Sequence, residues 1–315
     1  MELRELGRTG IKVAPLAFGG NVFGWTVDEE TCFRLLDAFV EGGFNLIDTA
    51  DAYSTWAPGN HGGESETAIG KWLRLGKKRH KVVIATKVGF DVAGRKGLSK
   101  RNITQAVDAS LRRLNTDYID LYQAHYDDQT EPLEETLEAF TELKREGKIR
   151  AFGASNYSAE RLELALELSK RNGWPRYETF QPRYNLVDRR EYEGAVEKIC
   201  RGQGLGVLAH TSLASGFLTG KYRTRTDLAD KARGKRVETY MNDRGFQILW
   251  ALRQVSEKCR ASCASVALSW LMSKPTVSAA IASATNPDQL EELMAAARLK
   301  LDAESLELLE NESAD

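Results

Sequence analysis

The chain has 315 residues, 42% of them hydrophobic, and a formal net charge of -1 at neutral pH. That length suits one α/β barrel and that apolar share is enough for a large core, while the near-neutral charge gives no electrostatic case for nucleic acid or an acidic membrane. No apolar run approaches the roughly 20 residues of a membrane helix, and the opening Met1-Glu-Leu-Arg-Glu-Leu-Gly-Arg8 lacks the apolar stretch of a secretory signal.

In chain order, Leu3–Leu6 and Ile11–Ala14 flank Gly7-Arg-Thr-Gly10 and predict a hairpin placed to close the bottom of a barrel. Strands follow at Leu16–Phe18, Phe44–Ile47, Val82–Ala85, Tyr118–Ala124, Ile149–Gly153, Glu178–Gln181, Gly206–Ala209 and Val277–Ile281. Helical patterns separate most of them. Thr26-Val-Asp-Glu29 reads as a capping box ahead of Cys32, Leu35, Leu36 and Phe39, with Gly42-Gly43 as the stop. Ser99 precedes the stripe Ile103, Val107, Leu111 and Leu114, and Pro132 suits the first turn of a helix carrying Leu133, Leu137, Phe140 and Leu143 before Gly147. Eight strand–helix units predict a (β/α)8 barrel, and with no linker to divide it the chain reads as one domain, 1–315. After strand seven a long polar stretch, about Ser215 to Asn242, carries Lys221, Arg223, Arg225, Arg233, Lys235 and Arg236. A loop of that length predicts a lid over an anionic ligand. The cysteines, at 32, 200, 259 and 263, form no C-x-x-C, so they read as reduced thiols of a cytoplasmic protein rather than a metal site.

Four residues carry the chemistry. Asp48, Tyr53, Lys87 and His125 each lie just after a predicted strand. If those strands are parallel, a carboxylate, a phenol, an ammonium and an imidazole meet at the sheet's C-terminal edge, which makes a proton-transfer site. Gly216-Phe-Leu-Thr-Gly220-Lys221 has the outline of a phosphate loop but is one residue short, with Tyr222 where Ser or Thr belongs. An NTPase is rejected on that ground.

The combination of Asp48-x4-Tyr53, Thr86-Lys87, His125, Gly153-Ala-Ser-Asn156, Gln181-x2-Tyr-Asn185 and Ser212-Leu-Ala-Ser-Gly-Phe-Leu-Thr-Gly-Lys-Tyr222 resembles the aldo-keto reductases over essentially the whole chain. The resemblance implies a (β/α)8 barrel with no dinucleotide-binding domain, and no G-x-G-x-x-G follows a strand here. It implies NADPH, with NADH possible, reducing an aldehyde or ketone. Tyr53 would be the proton donor, Lys87 would lower its pKa, Asp48 would hold Lys87 and contact the cofactor, and His125 would orient the carbonyl oxygen. The same likeness assigns Ser155, Asn156 and Gln181 to the nicotinamide carboxamide; where relatives commonly stack a Tyr on its ring this chain departs with His210, whose imidazole can still stack over less area. The likeness gives Ser212, Leu213, Gly216 and Lys221 to the pyrophosphate, and Ser283, Thr285 and Gln289, near Asn286, to the adenosine end. No cation stands at 283–289 where relatives often grip a 2′-phosphate. Trp25, Trp56, Phe90 and Tyr126, with His125, would wall a substrate pocket. Trp72 and Trp270 read as packing residues. Two other functions stay open: an NAD(P)-dependent alcohol or sugar dehydrogenase working oxidatively, and a cofactor-binding regulatory subunit with little turnover.

Overall fold

A computed structural model describes residues 1–229 and 231–314; Asp230, within the predicted long loop, and Asp315 lie outside them. Two short strands, β1 (Arg4–Glu5) and β2 (Lys12–Val13), pair antiparallel as the expected hairpin. Eight parallel strands then close a barrel: β3 (Leu16–Gly19), β4 (Leu46–Asp48), β5 (Val83–Val88), β6 (Ile119–Ala124), β7 (Ile149–Ser155), β8 (Thr179–Gln181), β9 (Gly206–Ala209) and β10 (Val277–Ala282). Each pairs with its neighbours in sequence, and β10 pairs with β3 to complete the ring. Around it stand α1 (Glu29–Glu41), α2 (Glu64–Gly76), α3 (Lys100–Leu114), α4 (Leu133–Arg145), α5 (Ala159–Asn172), α6 (Ala195–Gln203), the short α7 (Gly234–Glu238), α8 (Asp243–Cys259), α9 (Cys263–Ser273), α10 (Pro287–Ala296) and α11 (Ala303–Glu312).

Alternation along the strands sorts the core into two layers. Ala17, Leu46, Val83, Ala85, Leu121, Ala151, Leu208, Ala279 and Ile281 point into the barrel, where Leu6, Ile11 and Val13 of the hairpin join them. The hairpin therefore plugs the bottom. The alternate residues, Phe18, Ile47, Ile84, Tyr122, Phe152, Phe180 and Val207, face the helices and belong to the larger outer core with Trp72 and Trp270. Both tryptophans are fully buried, each donating its indole N–H to an acid, Asp37 at 2.8 Å and Glu310 at 2.9 Å. Gly153 admits no side chain, because a Cβ there would stand 2.0 Å from Thr179 Oγ1. That glycine lets β7 and β8 come together beneath the site.

Three expectations are corrected. Helix α1 is capped by Asp28, which accepts from the Thr31 N–H, and not by a box starting at Thr26. Strands β4 and β5 run on through Asp48 and Lys87, so these two are strand residues and not residues after a strand. The stretch after β9 is not structureless: 3-10 turns at Ala214–Thr219 and Arg225–Leu228 and helix α7 give it local form.

Candidate active site

At the top of the barrel Lys87 is fully buried and its Nζ has three partners. It donates to Asp48 Oδ2 at 2.7 Å, to the Thr49 carbonyl at 2.8 Å and to the Tyr53 hydroxyl at 3.1 Å. Parallel pairing explains the meeting: β4 and β5 are in register at Asp48 and Ala85, so Lys87 stands one inward position higher. Tyr53 comes from the turn after β4 and returns a 3.3 Å hydrogen bond to Asp48 Oδ2. Asp48 Oδ1 accepts from Gln181 Nε2 at 2.9 Å. Both carboxylate oxygens are thus engaged, and Asp48 lies beneath Tyr53 instead of on the cavity wall.

The electrostatics differ from the sequence-based expectation. The protein packed around Tyr53, and then the Asp48 carboxylate, push the phenol well above its ordinary value. Lys87 bonds the hydroxyl but does not bring it down. Burial draws the Lys87 ammonium down in turn, against the opposing pull of Asp48 and, behind it, Asp51 and Glu66. At neutral pH the phenol keeps its proton, which is the state a proton donor needs.

His125 follows β6 and lies with its ring 6.0 Å from that of Tyr53 and 4.4 Å from that of Phe90. Its Nδ1 is buried without a partner. Burial first, then Lys87 and His210, hold the imidazole well below its ordinary value, so the ring is neutral. His210 reaches the cavity after β9, its Nδ1 2.9 Å from Thr211 Oγ1 and its Nε2 3.4 Å from Asn156 Oδ1. Desolvation, Lys87 and Arg183 push it down to about 3. It is therefore neutral at physiological pH and does not titrate near its ordinary value of about 6.5.

These side chains line one cavity of about 1460 Å3. Ser155, Asn156, Gln181, His210, Ser212, Leu213, Gly216, Lys221, Ser283, Thr285 and Gln289 all face it, as do Trp25, Trp56, Phe90 and His125. Tyr126 does not; it backs Phe90, ring to ring at 5.1 Å. Some of the predicted polar contacts are already committed. Ser155 Oγ donates to the Gln181 carbonyl, Ser212 Oγ lies 2.9 Å from both the Ala209 and Ile281 carbonyls, and Gln289 Oε1 accepts from the Thr285 N–H. Gly216 has φ +103°, a conformation that suits glycine and leaves its backbone open to a ligand. Asn286 is a helix cap, accepting from the Gln289 N–H at 2.9 Å, and does not line the cavity. Among the described residues, the cations Arg183, Lys221, Lys231, Arg233, Lys235 and Arg236 line it against two carboxylates, Asp91 and Glu292. Trp25 and Trp56 meet edge to face at 5.6 Å, and Trp56 lies 5.9 Å from Tyr53.

Two features were missed. Asn21, just after β3, accepts from Ser283 at 2.8 Å and from Arg233 at 3.3 Å, tying the long loop to the strand ends. Behind Lys87, Thr86 donates to fully buried Glu66 at 2.6 Å, and Glu66 accepts from Arg113 at 2.7 Å. The sequence carried a signal for the second: Glu66 shares a helical stripe with Ile69, Gly70 and Leu73, an acid on an apolar face. For Asn21 it carried none beyond its place at a strand end.

The sequence profile of the Aldo/keto reductase family matches residues 15–313. The chain is 35% identical to an uncharacterized oxidoreductase, YrpG, of Bacillus subtilis (strain 168), over 98% of this chain and 95% of that one. It is 33% identical to the aldo-keto reductase YhdN of the same organism, over 93% and 88% of the two chains. It is also 33% identical to a probable voltage-gated potassium channel subunit beta of Oryza sativa subsp. japonica, over 94% and 91%.

Proposed function

We propose that this chain, which belongs to the aldo/keto reductase family, reduces an aldehyde or ketone to the alcohol with NADPH, and that Tyr53 gives the proton. The observation that carries this reading is the buried Lys87 held between Asp48 and the Tyr53 hydroxyl at the floor of the cavity. The donor set suits a dinucleotide phosphate: among the described residues six cations face two acids, with an open glycine backbone at Gly216. Lys221, Gly216 and the amide of Leu213 would hold the pyrophosphate. Asn156 and Gln181 would meet the carboxamide, and His210 would cover the ring. A bound reduced nicotinamide supplies the hydride.

The chain's own residues do the rest. Tyr53 donates its proton to the carbonyl oxygen as negative charge grows there. Lys87 then stabilises the phenolate, and Asp48 keeps Lys87 charged. Neutral His125 stands beside the phenol and orients the same oxygen. Trp25, Trp56 and Phe90 exclude water from an apolar or ring-bearing substrate. Residues 1–315 act as one domain in this reading, since the barrel closes only when β10 meets β3. The cation-rich side of the cavity favours NADPH, with NADH usable because no cation stands at 283–289.

The test is a panel of aldehydes and ketones with each cofactor, followed by the near-ultraviolet absorbance of the reduced nicotinamide. Tyr53→Phe should lower kcat by at least about a hundredfold, since general acid catalysis is worth 10²–10⁴, and leave the Kd for NADPH nearly intact. Near-wild-type turnover in that variant would overturn the assignment. The likeness to a probable potassium channel subunit beta motivates a second reading, a cofactor-holding subunit that turns over very slowly. The same panel separates the two: such a subunit binds NADPH tightly and reduces no carbonyl at a useful rate. An alcohol panel with the oxidised cofactors tests the oxidative direction.

A further inference from the structure

The turn after β4 and the loop after β3 are tied to each other above the barrel. Ser54, directly after Tyr53, has φ +76°, a left-handed backbone that a residue with a side chain keeps only when its surroundings hold it there. Its fully buried hydroxyl donates to the Phe23 carbonyl at 2.7 Å. Farther along the same turn the Asn60 amide donates twice. Its Nδ2 reaches the Gly24 carbonyl of the other loop at 2.7 Å and the Ser54 carbonyl of its own turn at 3.1 Å. An asparagine amide has two N–H groups to give, and Asn60 has a carbonyl for each. Gly24 is pressed against the start of α2: its φ is +70°, and a Cβ there would stand 2.6 Å from Glu64 Cβ.

Those two carbonyls bracket the aromatic wall. Gly24 precedes Trp25, Ser54 comes shortly before Trp56, and the two indoles meet edge to face at 5.6 Å. Trp56 is 45% exposed, so burial alone does not fix its place. An edge-to-face pair at a surface orders two large side chains for a small gain, and it persists when the backbones behind the rings are already held. We propose that Asn60 is a positioning residue: it joins the backbones behind Trp25 and Trp56 and so holds the wall in place against a ring-bearing carbonyl substrate. Ser54 secures the inner part of the turn, where Tyr53 stands, and Asn60 the outer part, where Trp56 stands. Its effect therefore falls on substrate affinity and not on proton transfer. This deepens the proposed carbonyl reduction and rests on it.

The test compares benzaldehyde with propanal, which has no ring to lay against the wall, with NADPH as reductant. Asn60→Asp keeps the shape of the side chain and removes both donors. It should raise the KM for benzaldehyde about tenfold, the scale of two modest hydrogen bonds. Over the same change kcat should stay within about twofold, and the propanal KM and the Kd for NADPH within about threefold. Asn60→Gln, which keeps both donors, should regain part of the loss. Acrylamide quenching of tryptophan fluorescence gives a readout without turnover. Quenching should rise in Asn60→Asp, and the rise should vanish in a background of Trp25→Phe with Trp56→Phe, where no wall indole is left. Equal KM values for benzaldehyde in wild type and Asn60→Asp would overturn the assignment. So would a matching fall of kcat on both aldehydes, since Asn60 would then act on Tyr53. A rise in quenching that survives the loss of both wall indoles would overturn it too, because the whole fold would then have loosened. If no carbonyl is reduced, the underlying reading fails; unchanged quenching would then sink the tie between the loops as well, and a rise confined to the two indoles would uphold it.

Discussion

The Tyr53 phenol lies between a cation and a carboxylate, and the balance between them sets its proton affinity. Asp48 and the surrounding protein raise it; Lys87 offsets the Asp48 charge by sitting 2.7 Å from it. Lys87→Met would leave Asp48 as an unpaired buried carboxylate facing the phenol. We expect kcat to fall about a hundredfold or more, and the alkaline limb of the pH–rate profile to move up, because the phenol would hold its proton more tightly still. Losing one partner of a buried pair also costs about 3–5 kcal/mol of stability, so urea denaturation should accompany the kinetics. An unchanged rate and limb would make Lys87 a packing residue. The identities of Asp48, Tyr53, Lys87 and His125 were legible in the sequence because each stands at or soon after the C-terminal end of an apolar run. Their titration was not. Sequence spacing brings an ammonium to a phenol, but the outcome turns on desolvation, which depends on everything else packed around them. His210 shows the same limit: spacing placed it in the cavity, while burial and two nearby cations hold its ring neutral.

At the scale of elements, the strands were legible and their ends were not. Inward positions of the barrel carry small or aliphatic residues and outward ones larger rings, so each strand reads as a short continuous apolar run. Asp48 and Lys87 look like strand stops for being charged, yet a barrel top is where a charged residue stays in the ladder and still points at a ligand. The α1 cap was misplaced because Thr26 and Asp28 are both good caps, and only the observed chain direction chooses Asp28. Helix α10 illustrates how a cap limits engineering of cofactor preference. Replacing Asn286 by Arg would add a cation near the adenosine end, but it removes the oxygen that caps the Gln289 N–H. We expect Asn286→Arg to lose about 1 kcal/mol of stability, read as a lower urea midpoint. Asn286→Asp should keep the cap and the midpoint. An Asn286→Arg protein as stable as wild type would show that Gln289 and Thr285 hold the helix start by themselves.

For the whole molecule, acid should unfold the protein earlier than its surface charges suggest. His125 is held neutral well below its ordinary value, whereas in the unfolded chain it takes a proton near pH 6.5. Below that point the unfolded state binds more protons, so stability falls as pH falls, by up to about 1.4 kcal/mol per pH unit for one such group. His210 acts in the same direction, though less, because its ring opens on the cavity. Asp51 opposes them: its buried carboxyl titrates well above the usual range, so it adds stability at low pH that is lost as pH rises through its folded pKa. With two groups against one, urea midpoints should decline from pH 6.5 to 5.5, and His125→Gln should lessen the slope. A flat profile would mean that Asp51 cancels both imidazoles. The hairpin bears on the whole chain in another way. Arg4 donates to the carbonyls of Met272 and Val277, at 2.8 and 2.7 Å, across a sequence distance of 268 and 273 residues. Leu6, Ile11 and Val13 find their apolar partners only in the finished ring. A ribosome adding about 5–20 residues per second needs tens of seconds to reach β10. Through all that time Leu6, Ile11 and Val13 have no native home, which makes the hairpin a natural client for a chaperone.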